Sequence, residues 1–476
     1  MVSFWVYDVG FLILFSAFVA WFLSSRKKDL SREGLIFMYR TQFGVKVIKY
    51  IGDNFKRTLH SIKYLIIGIG FVLMGAMLWM LGQTVAIYLL HPEITKIIKA
   101  PPIAPLIPYF PKLFGMESFF PPFYFTYFIV ALAIVAIVHE FSHGIFMRLF
   151  KIKIKSTGLV FLGPILGAFV EEEKSGFEKK KKIEQMTVLG AGVFANLVFA
   201  LIFYLLYMTF FFTSFAASGY IFNSYGAYEV PLSSIGAMGQ DMGPMAVLLN
   251  GKAAEINLTE VQIAGSYYFM STQTKEFILR GVEIDNYTTV LFEKAPAILA
   301  QMHGAIIQAD DVKITGQDKL REFLENKHPG EAVKFITEDN EGIKEYNIIL
   351  GERPDDSTKA YLGVGHSTTQ RSGFIQNILG KFMSFKESST LYKPTWDGEL
   401  VYFINYLLWW VMVINLLVAL FNMLPIGILD GGRFFYLTML GIFKSEKIAK
   451  RIYNSIGYAI LFMFVLMMFF WFIRII

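Results

Sequence analysis

Six stretches of the chain are each long and apolar enough to cross a lipid bilayer, near residues 4–23, 64–90, 123–149, 186–213, 400–424 and 453–473. Hydrocarbon about 30 Å thick takes roughly 20 residues of helix. Within it every backbone N–H and C=O has to be satisfied inside the segment or by a closed barrel, so stretches of this length are expected to be helices. Composition agrees: 55% of the 476 residues are hydrophobic and only 17% are charged, which points away from an ordinary soluble globular fold. The first stretch has no basic residue before it, no small-residue cleavage site after it, and Ser24-Ser25-Arg26-Lys27-Lys28-Asp29 directly behind it. It is expected to stay as a helix rather than to be removed as a signal peptide.

Basic residues in the short loops give an orientation, because cytosolic loops carry an excess of Lys and Arg. The loop from Ser24 to Lys63 holds Arg26, Lys27, Lys28, Arg32, Arg40, Lys46, Lys49, Lys56, Arg57 and Lys63, whereas that from His91 to Pro122 holds only Lys96, Lys99 and Lys112. Counting spans onward, the clusters at Glu171–Gln185 and Lys444–Arg451 fall on the same side as the first loop. That side is therefore expected to be the cytosol, with both termini outside and the chain integral to the cell membrane. The formal charge of +6 sits largely in these clusters. It speaks for membrane orientation, with the bilayer as a partner, and against nucleic acid.

The expected organisation has two membrane helices and a basic loop over residues 1–122, a first core part over 123–213, and a second core part over 400–476. Between the core parts the composition turns polar, as in an extracytoplasmic insert. Residues 214–280 show no pattern with a name, and 368–399, including "KESSTLYKPTWDGE", look like a linker. Residues 281–367 run "GVEIDNYTTVLF", "KAPAILAQM", "GAIIQADDVKITG", "DKLREFLENKHPGEAVKFIT" and "EYNIILGE", an alternation of strands with two helices. With Pro296-Ala297 opening the short helix and Pro329-Gly330 before a late strand, this resembles a bacterial-type PDZ domain. "QMHG" stands where that pattern has Gly-Leu, and an unrelated small α/β insert is the alternative.

The chemistry concentrates in "IVHEFSHGIF", Ile137–Phe146. His139 and His143 are four residues apart, so on a helix their imidazoles share a face and can bind one metal ion, with Glu140 beside them as a general base. Ionisable side chains at the end of an apolar span are expensive unless paired or coordinated, and are functional by default. There is no cysteine, so thiolate ligands, disulfides and cysteine nucleophiles are excluded. A third ligand has to be His, Asp or Glu. Asp430, in "LFNMLPIGILDGGRFF", is expected at the same depth by the loop-charge argument; its alternative reading is a turn residue in an Asp-Gly pair. His60, His91, His303, His328 and His366 fall in loops or in the insert and are expected to be surface residues.

"HEFSH" on one span, paired with "NMLPIGILDGG" downstream, resembles the site-2 protease family of intramembrane zinc metalloproteases. The resemblance implies one zinc ion per chain held by His139, His143 and Asp430, with Glu140 as the catalytic base. It implies that Asn422 and Pro425 approach the substrate, and that Gly192 and Asn196, in "GAGVFANLVFA", border the active site, Asn196 stabilising the oxyanion or binding substrate backbone. Val193 stands where the family commonly has proline. It further implies a β-hairpin dipping into the membrane at "STGLVFLGPILGAFVEEE", for which a surface loop is the alternative.

The expected fold class is thus a polytopic α-helical membrane protein of about six transmembrane helices, with a reentrant hairpin-like segment and an extracytoplasmic PDZ-like α/β insert. Implied substrates are transmembrane proteins, pre-cleaved by another protease, in regulated intramembrane proteolysis. Three rivals remain at this stage. A prenyl-protein type membrane zinc protease would need a downstream intramembrane glutamate, and a metal transporter would need polar residues along a path through several helices. A non-catalytic scaffold binding partners through the insert would tolerate loss of the site residues, which are intact.

Overall fold

The computed structural model describes residues 4–27, 29–90, 101, 106–117, 120–235, 238–249, 252–263, 266–279, 288–339, 341–366 and 384–475. Two compact units emerge: Met1–Phe211 together with Glu399–Ile476, and Phe212–Gly398. Parts of the expected strand at 281–292 and of the expected linker, residues 281–287 and 367–383, lie outside the described residues.

The first unit holds six helices long and apolar enough to span a membrane: Phe4–Ser25, Lys56–Leu90, Phe125–Leu149, Lys182–Ser214, Gly398–Asn422 and Glu446–Ile473. The chain is a polytopic membrane protein with a β-rich region. Three spans begin earlier than hydropathy implies, at Lys56, Lys182 and Glu446, because Lys, Arg and Glu propagate a helix well and keep their charges in water while it continues. The last span leaves Leu461, Phe462 and Val465 more than half exposed, as a lipid-facing side requires.

Packing around the third span, Phe125–Leu149, decides where the site sits. Its beginning is fixed from a distance. Asp8, on the first span and only 1% exposed, accepts hydrogen bonds from the N–H groups of Phe125 (2.8 Å) and Thr126 (2.9 Å), from Thr126 Oγ1 (2.6 Å) and from Tyr109 Oη (2.5 Å). Helix N-termini have unsatisfied N–H groups, and a carboxylate there both accepts from them and suits the helix dipole. Trp410 of the fifth span donates its indole N–H to Pro122 O at 3.0 Å and packs on Phe123. Toward the other end, Met147 and Phe150 join a buried cluster with Ile66, Leu189, Met423 and Phe434, contributed by the second span, the fourth span and the segment after the fifth.

A four-stranded antiparallel sheet flanks that end, in the order β1 (Leu30–Glu33), β2 (Ile36–Thr41), β3 (Ile154–Leu162), β4 (Ile165–Glu172). Residues after the first span and residues after the third thus share one sheet, with Phe37 opposite Phe161 and Leu162 opposite Ile165. β4 is an end strand.

In the second unit, Ala227–Pro231, Thr288–Glu293, Ser266–Ser271, Lys252–Ile263 and Met238–Leu249 form one sheet in that order. A second runs Gly342–Ile349, Ala332–Asp339, Ala305–Ala309, Phe215–Tyr220, Thr390–Pro394. Short helices Pro296–Leu299 and Gln317–Glu325 accompany them, over a core that includes Phe269, Met302, Ile306 and Phe335. Strands from 215–271 therefore pair with strands from 288–394.

Candidate metal centre

On the third span His139 and His143 are one turn apart and buried, 8% and 7% exposed. Their Nε2 atoms lie 3.0 Å apart. Asp430 Oδ2 lies 3.0 Å from His139 Nε2 and 3.2 Å from His143 Nε2, although 291 residues separate Asp430 from His139. No Lys or Arg is paired with these atoms among the described residues. Two imidazole nitrogens and a carboxylate oxygen converge on one point with no side-chain cation between them. A four-coordinate ion with bonds of about 2.0–2.1 Å sets its ligands about 3.3 Å apart, so both the spacing and the donor set suit zinc.

The far nitrogens of the imidazoles are held as metal-ligating histidines require. His143 Nδ1–H donates to Val188 O at 2.7 Å, which leaves the Nε2 lone pair pointing at the cluster. His139 Nδ1 lies 3.1 Å from the amide nitrogen of Asn196, which is fully buried and whose Oδ1 has no hydrogen-bond partner. The two ends of an amide are interchangeable in shape. Turned by half a rotation, Asn196 accepts the Nδ1–H of His139 through Oδ1 and orients that ring in the same way.

Two glycine positions show why this local sequence is needed. A Cβ on Gly192 would come within 2.5 Å of His143 Nε2 and 2.7 Å of His139 Cε1, so the fourth span can approach the imidazoles only with glycine there. At the other wall the fifth span ends at Asn422, the chain turns, and a helix restarts at Asp430–Phe443. A Cβ on Gly431 would lie 2.3 Å from Met423 C, and one on Gly432 2.2 Å from Ile426 O. The Asp-Gly-Gly run thus lets the turn fold back tightly enough to present Asp430.

Glu140 Oε2 accepts a hydrogen bond from Val170 N of β4 at 3.1 Å. Glu140, Asn422 and Asp430 line one cleft of about 370 Å³ with the two histidines. Pro425 is buried in the turn and is not among the cleft-lining residues. Of the expected residues, then, His139, Glu140, His143, Gly192, Asn196, Asn422 and Asp430 come together. Sequence reasoning missed Val170, Glu172 and Arg433, which line the same cleft. Arg433 reaches Glu172 at 3.6 Å and lies over the Phe177 ring at 4.6 Å. It also missed Asp8, whose signal was available: a lone carboxylate inside an apolar run.

The remaining histidines are elsewhere. His60 stacks edge-on against Phe150, His328 is exposed, and His366 bonds Ile221 O and Ser388 Oγ. His91 lies outside the described residues. His303 stands near Asp339 and Glu341 in the second unit.

A sequence profile for peptidase family M50 matches residues 127–466, well over half of the chain. The chain belongs to this family, that of the site-2 proteases. M50 members are membrane metalloproteases, and the match takes in the third span, the fourth and the Asp430 segment. An uncharacterized protein of Methanocaldococcus jannaschii is 32% identical over 199 residues, 40% of this chain and 49% of that protein. The chain therefore aligns with about half the length of the curated relative it matches.

Proposed function

We propose that the chain is an intramembrane zinc endopeptidase that hydrolyses peptide bonds within or beside the transmembrane segments of membrane-anchored proteins. The observation that carries this is the convergence of His139 Nε2, His143 Nε2 and Asp430 Oδ2 within 3.2 Å of one another, with Glu140 on the same helix. His139, His143 and Asp430 would hold one Zn2+, which when bound supplies Lewis-acid polarisation of a carbonyl and lowers the pKa of water. Glu140 takes the proton of the attacking water and returns it to the leaving amine as the peptide bond breaks. Val188 O and the Asn196 amide hold the two imidazoles in the tautomer that leaves Nε2 free. Asn196 is thereby assigned to orienting His139, and Asn422 to the cleft wall that meets the substrate.

A helical substrate hides its amides in its own hydrogen bonds and has to unwind to be cut. β4, at the end of its sheet with Val170 N–H turned toward Glu140, is suited to hold an unwound segment by strand addition. The hairpin β3–β4 is assigned a reentrant position. Exposed Leu35, Ile36, Leu162 and Ile165 cluster at one end of the sheet, and Leu166 packs in the same cluster as Leu12 and Phe15 of the first span. The basic loops support an orientation with the metal centre toward the cytosol and the termini and the insert outside.

The strand, short helix, two strands, helix and strand at 288–339 support a PDZ-like reading of the insert. Its assigned role is to pass only substrates already trimmed by another protease, as in regulated intramembrane proteolysis. Removing residues 230–367 should then let untrimmed substrates be cut; unchanged selectivity would dismiss that role.

The reading as a whole is tested by incubating the purified protein with a single-span substrate, with and without a chelator, beside Glu140→Gln. Cleavage by the wild type alone, lost with chelator and in the variant, is expected. Cleavage by Glu140→Gln at the wild-type rate would remove Glu140 as the base.

A further inference from the structure

The helix Phe43–Asn54 lies between β2 and the second span, which begins at Lys56. Twelve residues long, it is strongly two-sided. Gly44, Val45, Ile48 and Gly52 are buried, and they pack on the third span and its sheet: Ile48 Cδ1 sits 2.5 Å from where a Cβ on Gly144 would be, and Arg148 Cγ 2.8 Å from one on Gly52. The opposite face presents Phe43 (73% exposed) and Tyr50 (67% exposed) with Lys46 and Lys49, also exposed. Neither lysine is paired with an acid among the described residues. The helix has one carboxylate, Asp53, and it is already engaged by Arg148 at 2.6 Å and Lys56 at 3.2 Å. Just beyond, Phe55 and Arg57 are exposed as well.

We propose that this face docks on anionic phospholipid headgroups. Three observations carry the proposal. The face is basic with its only acid neutralised, so its charge complements an anionic surface. Its exposed rings, Phe43 and Tyr50, lie along one side of the helix with the two lysines beside them, the pattern of a helix lying in the plane of the membrane interface, where rings enter the acyl boundary and ammonium groups meet phosphates. The helix also runs directly into a membrane span, so its depth is fixed near the end of that span without any docking partner. Because its buried face is clamped to the helix that carries His139 and His143, lipid held here anchors the metal-binding helix at the membrane surface.

The test uses the full chain in bilayers that mix phosphatidylglycerol with phosphatidylcholine. The protein is extracted into neutral detergent, and retained lipid is counted by native mass spectrometry. The wild type is expected to retain phosphatidylglycerol in preference to phosphatidylcholine. Lys46→Gln with Lys49→Gln should weaken that retention about 30-fold, each lysine contributing about fivefold, while Lys46→Arg with Lys49→Arg keeps it. Equal retention of the two lipids by the wild type, or undiminished phosphatidylglycerol on the glutamine variant, would overturn the proposal. So would displacement of the lipid by inorganic phosphate, which would make the surface a site for free anions. None of these readouts depends on proteolysis.

Discussion

Two groups of histidine and carboxylate stand in this molecule, and they differ in what lies between them. In the membrane unit His139, His143 and Asp430 converge with no Lys or Arg paired to them among the described residues. In the insert His303, Asp339 and Glu341 also gather, with His303 Nε2 3.5 Å from Asp339 Oδ2, yet Lys344 Nζ stands among them, 2.8 Å from His303 Nε2, 3.1 Å from Asp339 Oδ2 and 2.6 Å from Glu341 Oε2. The first group is mostly buried and has its far nitrogens held; the second is half exposed and already has its cation. Proximity of ligand-type side chains is therefore not enough to make a metal centre. What marks the first group as the candidate metal centre is that its lone pairs converge while no Lys or Arg is paired with them among the described residues.

The comparison can be broken most sharply by removing ligands. His139→Ala or Asp430→Ala is expected to take both bound zinc and cleavage to background, read by elemental analysis and a substrate assay. Next in size, Glu140→Gln should keep its zinc while kcat falls by about 10²–10⁴, the range for loss of a general acid–base. Retention of zinc with full turnover would separate Glu140 from the chemistry. Asn196→Ala should weaken zinc binding about 10–100-fold in a chelator competition, since it removes the group that orients His139; unaltered affinity would make Asn196 a packing residue only. Smallest of all, Lys344→Met should change the stability of the insert little, because its pairs are partly open to solvent. A larger loss, seen in thermal unfolding, would mean that this cluster does more than neutralise itself.

Much of the membrane unit was legible in the sequence, for physical reasons that differ from element to element. Bilayer thickness imposes a long apolar run, so the six spans stand out, and only their polar ends were read short. The spacing of His139 and His143 states their shared face outright. Asp430 could be brought to their depth by loop charges but not to within 3.0 Å of His139; that distance depends on the turn after Asn422, which Gly431 and Gly432 make possible. Contacts made by backbone groups left no sequence trace. The bond from Val170 N to Glu140 requires a strand edge to lie beside a helix, and Val188 O reaches His143 only through helix packing.

Within residues 214–280, the strands Phe215–Tyr220 and Ala227–Pro231 were opaque for another reason. Ala227–Pro231 pairs with Thr288–Glu293, and Phe215–Tyr220 with Thr390–Pro394, so the partners that make these segments strands are some 60 and 170 residues away. β-propensity depends on cross-strand neighbours, and a local window contains none of them.

The most direct test is the zinc content of purified wild type, Asp430→Ala and His303→Ala, measured side by side. The two-cluster account predicts one zinc ion per chain in the wild type, none in Asp430→Ala and one in His303→Ala. One zinc retained in Asp430→Ala, or zinc lost in His303→Ala, would contradict it.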